Sequence, residues 1–492
     1  MSPLVAGALV FFTSGAVLVL EILAGRLLAP YVGVTLETYT AVIGTVLAGI
    51  SLGTWLGGVA ADRLDPRSLL GPLLAAGGAL ALATVPLVRL FGSTIQEGRQ
   101  PSVVLLSIVG FFAPALVLSA VSPTVVKLQL RDLDATGRVV GRLSALGTAG
   151  AIAGTFLAGF VLVEAAPTSS SIFVIGAVLL VAGLGVWAFL GRSPRAAPLV
   201  AVAVVAGAVA SGLTAAADDP CQVETTYHCA RVVPDPQRPT GRLLLLDTLS
   251  HSYVDLADPT HLQFRYTNIF ADVIDATAPA GRLDAVHVGG GGWTMPRYLQ
   301  ATRPGTTSVV LEIDPGLVEI SRDRLGLETG PDLAARIGDG RLSMAALAAA
   351  SADVVVGDAF GGLAVPWHLT TVEFAESVRR VLRPGGVYVM NVIDYPPLRF
   401  AKAELATLGQ VFEHVAVLAP PGLLRGDRGG NFVLVASGSP LDGAALATEV
   451  ADRRGEERVL VDGEARAWAE GAPTLTDDKA PVDQWLAKTS RI

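Results

Sequence analysis

Hydrophobic positions divide the chain into two unlike parts. Up to about residue 216 they run in seven long blocks, at residues 4–23, 38–60, 69–88, 103–126, 143–163, 172–190 and 198–216. Each block is close to the roughly 20 apolar residues that a helix needs to cross a hydrocarbon core. The first residues carry no basic region of the kind that marks a cleavable signal, so the first block reads as a permanent helix. Beyond residue 216 the blocks shorten to runs punctuated by glycine, proline and acids, the pattern of strands alternating with helices. ETTYHCARVV (residues 224–233), RLLLLDTL (242–249) and HSYVDL (251–256) read as short strands, followed by a helix around 262–276.

The stretch at residues 284–315, DAVHVGGGGWTMPRYLQATRPGTTSVVLEIDP, organises this second part. An apolar strand enters Gly289, Gly290, Gly291 and Gly292, a helix follows, and a second strand ends in Glu312 and Asp314. Glycines let the backbone bend and approach a ligand closely, and an acid at the end of the second strand can accept both hydroxyls of a ribose. A nucleoside-bearing cofactor is the expected occupant. Ile337-Gly338-Asp339-Gly340 then closes a third strand, DVVVGDAF (353–360) a fourth with Asp358 at its tip, and VRRVLRPGGVYVMNVID (378–394) supplies a helix, a turn and a fifth strand.

The fold class expected is therefore an α-helical transmembrane bundle of about seven helices, followed by an α/β Rossmann-like domain with an N-terminal β-hairpin region. The expected domains are a multi-pass bundle at 1–216, a linker and strand region at 217–281, a nucleoside-binding domain at 282–438, and a C-terminal helix and irregular tail at 439–492. Composition agrees with a bilayer as one partner. Hydrophobic residues make up 51% of 492 and charged residues 16%, which is too apolar for an ordinary soluble enzyme. The part beyond residue 215 carries 25 basic against 36 acidic residues, a net charge of −11. Such a domain repels nucleic acid and anionic lipid and tolerates a cationic substrate.

The order of motifs resembles the class I S-adenosylmethionine-dependent transferases. Within them it is most similar to the spermidine synthase (polyamine aminopropyltransferase) family, whose pattern is GGGDG, VEID, GDG or GDA, then a DSSDP-type loop. The likeness covers about residues 222–437, and Glu224-Thr225-Thr226-Tyr227-His228 is similar to that family's Glu-Ser-x-Tyr-Gln opening. The resemblance implies Asp358 as the proton acceptor, Glu312 as the ribose-binding acid and Asp339 as the contact to the adenine amino group. It implies decarboxylated S-adenosylmethionine or S-adenosylmethionine as donor, a small amine or polyamine as acceptor, and a homo-oligomer. The loop GTWLGGVAADRLDPR (53–67) resembles the basic loop between the second and third helices of major facilitator transporters, although seven spans fall short of that family's usual twelve.

Chemistry leads to Asp358 independently. An amine attacking the carbon beside a sulfonium must be neutral, in line with the leaving sulfur, and near an acceptor for its proton. Asp358, ending the fourth strand beside the glycine loop, is placed to be that acceptor. Departures from the family pattern stand beside this. The aspartate of GGGDG is Gly292, the second aspartate of DSSDP is Gly361, and the Tyr-His-Glu signature has become Arg265-Tyr266-Thr267. Substrate contacts are therefore sought at Tyr266, Glu373, Asp394 and Tyr395, with Glu373 and Asp394 as replacements for the missing acid. Trp293, Trp367 and Tyr395 are either pocket walls or core, His287 reads as a hydrogen-bonded core histidine, and no spacing suggests a metal. Three readings stay open: an aminopropyltransferase of polyamine biosynthesis, a methyltransferase using intact S-adenosylmethionine, and a non-catalytic polyamine- or nucleoside-binding module coupled to the helices.

Two further expectations concern the bundle. Gly49, Gly53 and Gly57, and Gly150 and Gly154, recur every four residues, which either flattens a helix face for a neighbour or reflects the general frequency of glycine in such helices. Glu21 and Arg26, near the end of the first span, reach the interface or each other. Loops after the second, fourth and sixth spans hold Arg63, Arg67, Lys127, Arg131, Arg138, Arg142, Arg192 and Arg195, against Arg26, Arg89 and Arg99 elsewhere. Positive charge stays cytoplasmic, which puts the second part outside, where Cys221 and Cys229 would form a disulfide. Cofactor supply points to the cytoplasm instead.

Overall fold

The computed structural model describes residues 1–93, 100–130, 132–190, 194, 196–453 and 456–487. Arg99, Arg131, Arg192, Arg195, Arg454 and Gly455 lie outside the described residues. By compactness the chain forms two units, Met1–Cys229 and Ala230–Ile492.

Among the described residues of the first unit, seven helices are long and apolar enough to cross a membrane: Pro3–Val32, Leu36–Arg63, Pro66–Gly92, Pro101–Gln129, Thr136–Ala165, Thr168–Phe189 and Ala197–Ala216. Each contains or overlaps one of the hydrophobic blocks. The first three start where Ser2, Thr35 and Asp65 accept otherwise unpaired backbone N–H groups. The fourth and fifth each include a π-helical turn, Ile108–Phe112 and Ala158–Leu162. The glycine stripes are contact faces. A Cβ at Gly53 would collide with the Leu116 carbonyl, one at Gly57 would come within 2.6 Å of Ala120 Cα, and one at Gly150 would collide with the Phe11 carbonyl. The second helix thus packs on the fourth, and the fifth on the first, at near-backbone contact.

The boundary between the units falls at residues 229 and 230 rather than at 216, because the chain after Ala216 is tied back to the bundle. Arg89 of the third helix pairs with Asp219 at 2.8 Å and donates to the carbonyls of Thr214 and Ala217. Arg26 of the first helix pairs with Glu224 at 3.3 Å, at the end of the short strand β1 (Val223–Glu224), and donates to the Thr225 and Thr226 carbonyls. Glu224 also accepts the backbone N–H of Thr168, which starts the sixth helix, at 3.0 Å. Arg26 therefore turns to Glu224, not to Glu21. Cys221 and Cys229 form the expected disulfide.

The second unit opens with a meander, β2 (Cys229–Asp235), β3 (Arg238–Leu246) and β4 (Leu249–Asp255), in which β2 pairs β3 and β3 pairs β4 antiparallel. The helix Arg265–Thr277 follows. Eight strands then build one sheet: β5 (Asp284–Val288), β6 (Thr307–Glu312), β7 (Leu333–Ile337), β8 (Ala352–Gly357), β9 (Leu382–Asp394), β10 (His414–Ala419), β11 (Gly430–Ser437) and β12 (Arg458–Val461). Their order is β7-β6-β5-β8-β9-β11-β10-β12, parallel from β7 to β9 and antiparallel beyond.

Strands β5, β8 and β9 are almost continuously apolar because helices cover both faces. Arg265–Thr277, Thr294–Thr302 and Gly443–Arg453 bury Phe270, Ile274, Leu299 and Leu446 on one side. Val372–Val381 and Arg399–Val411 bury Phe374, Val378, Phe400 and Leu408 on the other. The tail, expected as irregular chain, supplies the edge strand β12 and the helices Gly463–Trp468 and Val482–Ala487. A strand of four residues is too short to carry a legible alternation. Chain order reverses at β5, with β6 and β7 on one side and β8 and β9 on the other, so a crevice opens beyond the carboxyl ends of β5 and β8.

Candidate active site

The glycine loop leaves β5 at that crevice. Gly289 (φ 96°) and Gly291 (φ 49°) take left-handed conformations that side chains resist, and a Cβ at Gly289 would meet the Asp358 carbonyl oxygen at 2.6 Å. The Asp358 N–H donates to the Val288 carbonyl at 2.9 Å, so the end of β8 lies directly against the loop. Glu312, at the end of β6, accepts from the Gly290 N–H at 2.8 Å and from the Asp314 N–H at 2.9 Å. These bonds fix its carboxylate beside the loop, and each oxygen keeps a lone pair for a further donor. Burial raises the Glu312 carboxyl above the usual carboxylate range, against the pull of those N–H groups.

Asp358 is the centre of a polar network. The Tyr266 hydroxyl donates to one carboxylate oxygen at 3.0 Å and the Asn391 amide to the other at 3.0 Å, while Asn431 donates to the Asn391 oxygen at 3.0 Å. Burial pushes Asp358 up to about 6, and its two donors hold it down. Burial and the neighbouring carboxylate push Tyr266 well above the usual phenol range, so it stays a donor. Tyr266 is itself fixed between Phe264 and Phe270, at ring separations of 6.1 Å and 5.5 Å. The result is a buried carboxylate raised from its ordinary range toward neutrality and held in one orientation by two donors. That is the equipment of a general base.

Asp339 caps the helix Gly340–Ala345 through the Leu342 N–H at 2.9 Å, and its other oxygen meets His368 at 3.0 Å. Ile313 and Ile337, at the ends of β6 and β7, and Leu342, in the helix that Asp339 caps, are exposed at 41%, 48% and 74%. Gly340 lies against Val288 and Leu369.

Other expected contacts do not converge on the crevice. Asp314 is fully buried and caps the helix Pro315–Leu325 by accepting from Gly316, so it is a structural acid rather than a ligand-facing one. Asp394 is 2% exposed, and its two oxygens accept the backbone N–H groups of Tyr395 and Ala401 at 2.7 and 2.9 Å. Glu373 accepts the Asp477 N–H at 3.2 Å. Each of these carboxylates is already committed to the backbone around it. The Tyr395 ring packs tightly on Gly429. Trp293 has no exposed surface and joins Val310, Val318, Leu327 and Leu333, which makes it core, whereas Trp367 is 44% exposed. His287 is buried, meets Ser308 at 3.2 Å and is held neutral by burial, which lowers it to about 3.

The place of the missing acid is filled. The Gly292 N–H donates to the Ser252 hydroxyl of β4 at 3.0 Å, and a Cβ at Gly292 would stand 2.8 Å from Ser252 Cβ. His251 lies 3.3 Å from the same hydroxyl. Ser252, His251, Asn391 and Asn431 were not singled out from sequence. The one available signal was Asn391, a polar residue inside the apolar run VYVMNVI.

No family model matches the chain. A polyamine aminopropyltransferase of Chromobacterium violaceum is 26% identical over 140 residues, 28% of this chain and 53% of that protein. One of Vibrio vulnificus is 30% identical over 127 residues, 25% of this chain and 42% of that protein. The chain thus spans about half the length of the curated relatives it matches. The crystal structure of a probable spermidine synthase from Corynebacterium glutamicum ATCC 13032 is 34% identical, over 52% of this chain and 95% of that one, with a TM-score of 0.49. Sheet order, glycine loop and strand-end acids define a class I methyltransferase-like fold. Within that class the α/β domain is similar in sequence to polyamine aminopropyltransferases, and among the described residues seven long apolar helices precede it.

Proposed function

We propose that this protein is a membrane-bound transferase that moves an aminopropyl group from decarboxylated S-adenosylmethionine to an amine acceptor. The observation that carries this reading is Asp358, oriented by Tyr266 and Asn391 against the glycine loop. In the reaction the lone pair of a neutral amine attacks the carbon beside the sulfonium. The carbon–sulfur bond breaks, its electron pair leaves with sulfur as a neutral thioether, and the proton of the new ammonium passes to Asp358. Glu312 and the glycine loop hold the adenosyl group, with Asp339 beside the adenine.

A second reading has its own support. Gly292 replaces the acid that would hold the donor's free ammonium, while Asp394 has both oxygens bonded to backbone N–H groups and Glu373 accepts one from Asp477. A buried ammonium without a partner is costly. Intact S-adenosylmethionine carries its own carboxylate beside that ammonium, and a site that lacks the aspartate no longer repels it, which favours methyl transfer. The test is an assay of the purified full-length protein with each donor and a panel of amines, products being resolved by mass. Transfer of a three-carbon amine supports the first reading and a one-carbon gain supports the second. Binding of either donor with no product, unchanged in Asp358→Asn, would identify a binding module.

A further inference from the structure

Consecutive membrane helices run in opposite directions, so their connections alternate between two ends of the bundle. The connections after the second, fourth and sixth helices share one end, whose described basic residues are Arg63, Arg67, Lys127, Arg138 and Arg142. At the other end lie the connections after the first, third and fifth helices and the segment 217–229 that follows the seventh. Its described basic residues are Arg26 and Arg89, both within helices. Arg89 is 9% exposed, and both are committed to holding that segment through Asp219 and Glu224. Among the described residues the bias is five to two, and both of the two are spent on ion pairs with the segment 217–229.

A second observation is independent of charge. The same segment carries the chain's two cysteines, and they form a disulfide with a sequence separation of 8. Structural disulfides persist in oxidising compartments and are rare where thiol buffers operate.

We propose that the end of the bundle carrying the disulfide faces the extracytoplasmic side, and that the α/β unit works there. Positive charge retained on the cytoplasmic side and a disulfide at the opposite end lead to the same orientation. On the transferase reading, this fixes what must precede the reaction. An adenosyl sulfonium is a permanent cation and does not cross hydrocarbon unaided. The step that supplies the donor is therefore a carrier-mediated translocation, and the amine acceptor is drawn from the outer aqueous phase.

The test uses the full-length chain in intact cells. Ala444→Cys, at an exposed position of the helix Gly443–Arg453, provides one thiol for a membrane-impermeant maleimide. The expected result is equal labelling of that variant in intact and permeabilised cells. The unsubstituted protein should remain unlabelled until it is reduced and should then take up two labels. Labelling of Ala444→Cys only after permeabilisation, or alkylation of Cys221 or Cys229 without reduction, overturns the proposal. Donor supplied outside sealed right-side-out vesicles should turn over as fast as in opened ones. Absence of turnover in both would count against the transferase reading, while the label position would still decide the orientation.

Discussion

The two units use glycine for opposite ends. In the bundle, Gly53, Gly57 and Gly150 have ordinary helical backbones, and what matters is the missing side chain, which lets a neighbour's carbonyl approach. In the α/β unit, Gly289 and Gly291 matter first for their backbone angles, which wrap the loop beside Glu312 and Asp358. In one unit glycine removes bulk from a flat interface between rods. In the other it permits a bend that few other residues would hold. Lipid supplies little hydrophobic drive for helices to associate, so the first use sustains the unit's assembly, whereas the second shapes a site on a sheet already stabilised by its core.

Substitutions at each kind of glycine and at the acids of the site can break this contrast. The largest effect is expected from Gly53→Val, whose side chain would be driven into the Leu116 carbonyl. Overpacking costs about 1–3 kcal/mol, and a contact with rigid backbone lies at the upper end of that range, so the variant should lose its single peak in detergent gel filtration. A variant that stays monodisperse with unchanged thermal stability would mean the stripe is not a packing face. Asp358→Asn should leave folding and donor binding intact but lower turnover about 10²–10⁴-fold, the usual contribution of a general base. Equal turnover would remove Asp358 from the chemistry. Glu312→Gln exchanges a charged acceptor for a neutral one, and calorimetric donor affinity should fall about tenfold, as hydrogen bonds to charged groups contribute roughly 1.5–3 kcal/mol.

The smallest effect is a displacement along the pH axis. The base must be ionised, so kcat/KM should show a rising limb through about 6, the value to which burial pushes Asp358, followed by a separate rise as the acceptor amine loses its proton, at about 10 for an unperturbed alkyl amine. Tyr266 donates to the ionised form of Asp358 and so lowers the first of these values. Removing the donor in Tyr266→Phe should move the rising limb to higher pH by about one pH unit, because hydrogen bonds to a charge are worth roughly 1.5 kcal/mol and 1.36 kcal/mol is one pKa unit. A limb that stayed in place would show that the tyrosine is only a wall of the pocket.

Much of the fold was legible because long-range physics writes itself into local pattern. Seven apolar blocks gave seven helices, and the succession of glycine turn, strand and acid gave the half of the sheet around β5, β6 and β8. The boundary at 229 was not legible, since it depends on Arg26 reaching Glu224, a contact 198 residues apart that nothing local announces. The site divided in the same way. Glu312, Asp339 and Asp358 sit at strand ends, where spacing alone places them. Asp314 and Asp394 looked alike in sequence and are caps, because a carboxylate beside free backbone N–H groups is captured by them. Asn391 reaches the site through the pairing of β9 with β8, and Ser252, on a separate sheet, through the hydrogen bond it accepts from the Gly292 N–H.

The contact between Ser252 and Gly292 bears on which side chains the two positions can hold together. Position 292 cannot regain an acid while residue 252 stands 2.8 Å from where its Cβ would go, and residue 252 cannot withdraw without leaving the Gly292 N–H unpaired. Two positions forty residues apart are therefore sterically coupled. In a census of relatives, lineages with an acid at the fourth place of the loop should differ at the hairpin position as well.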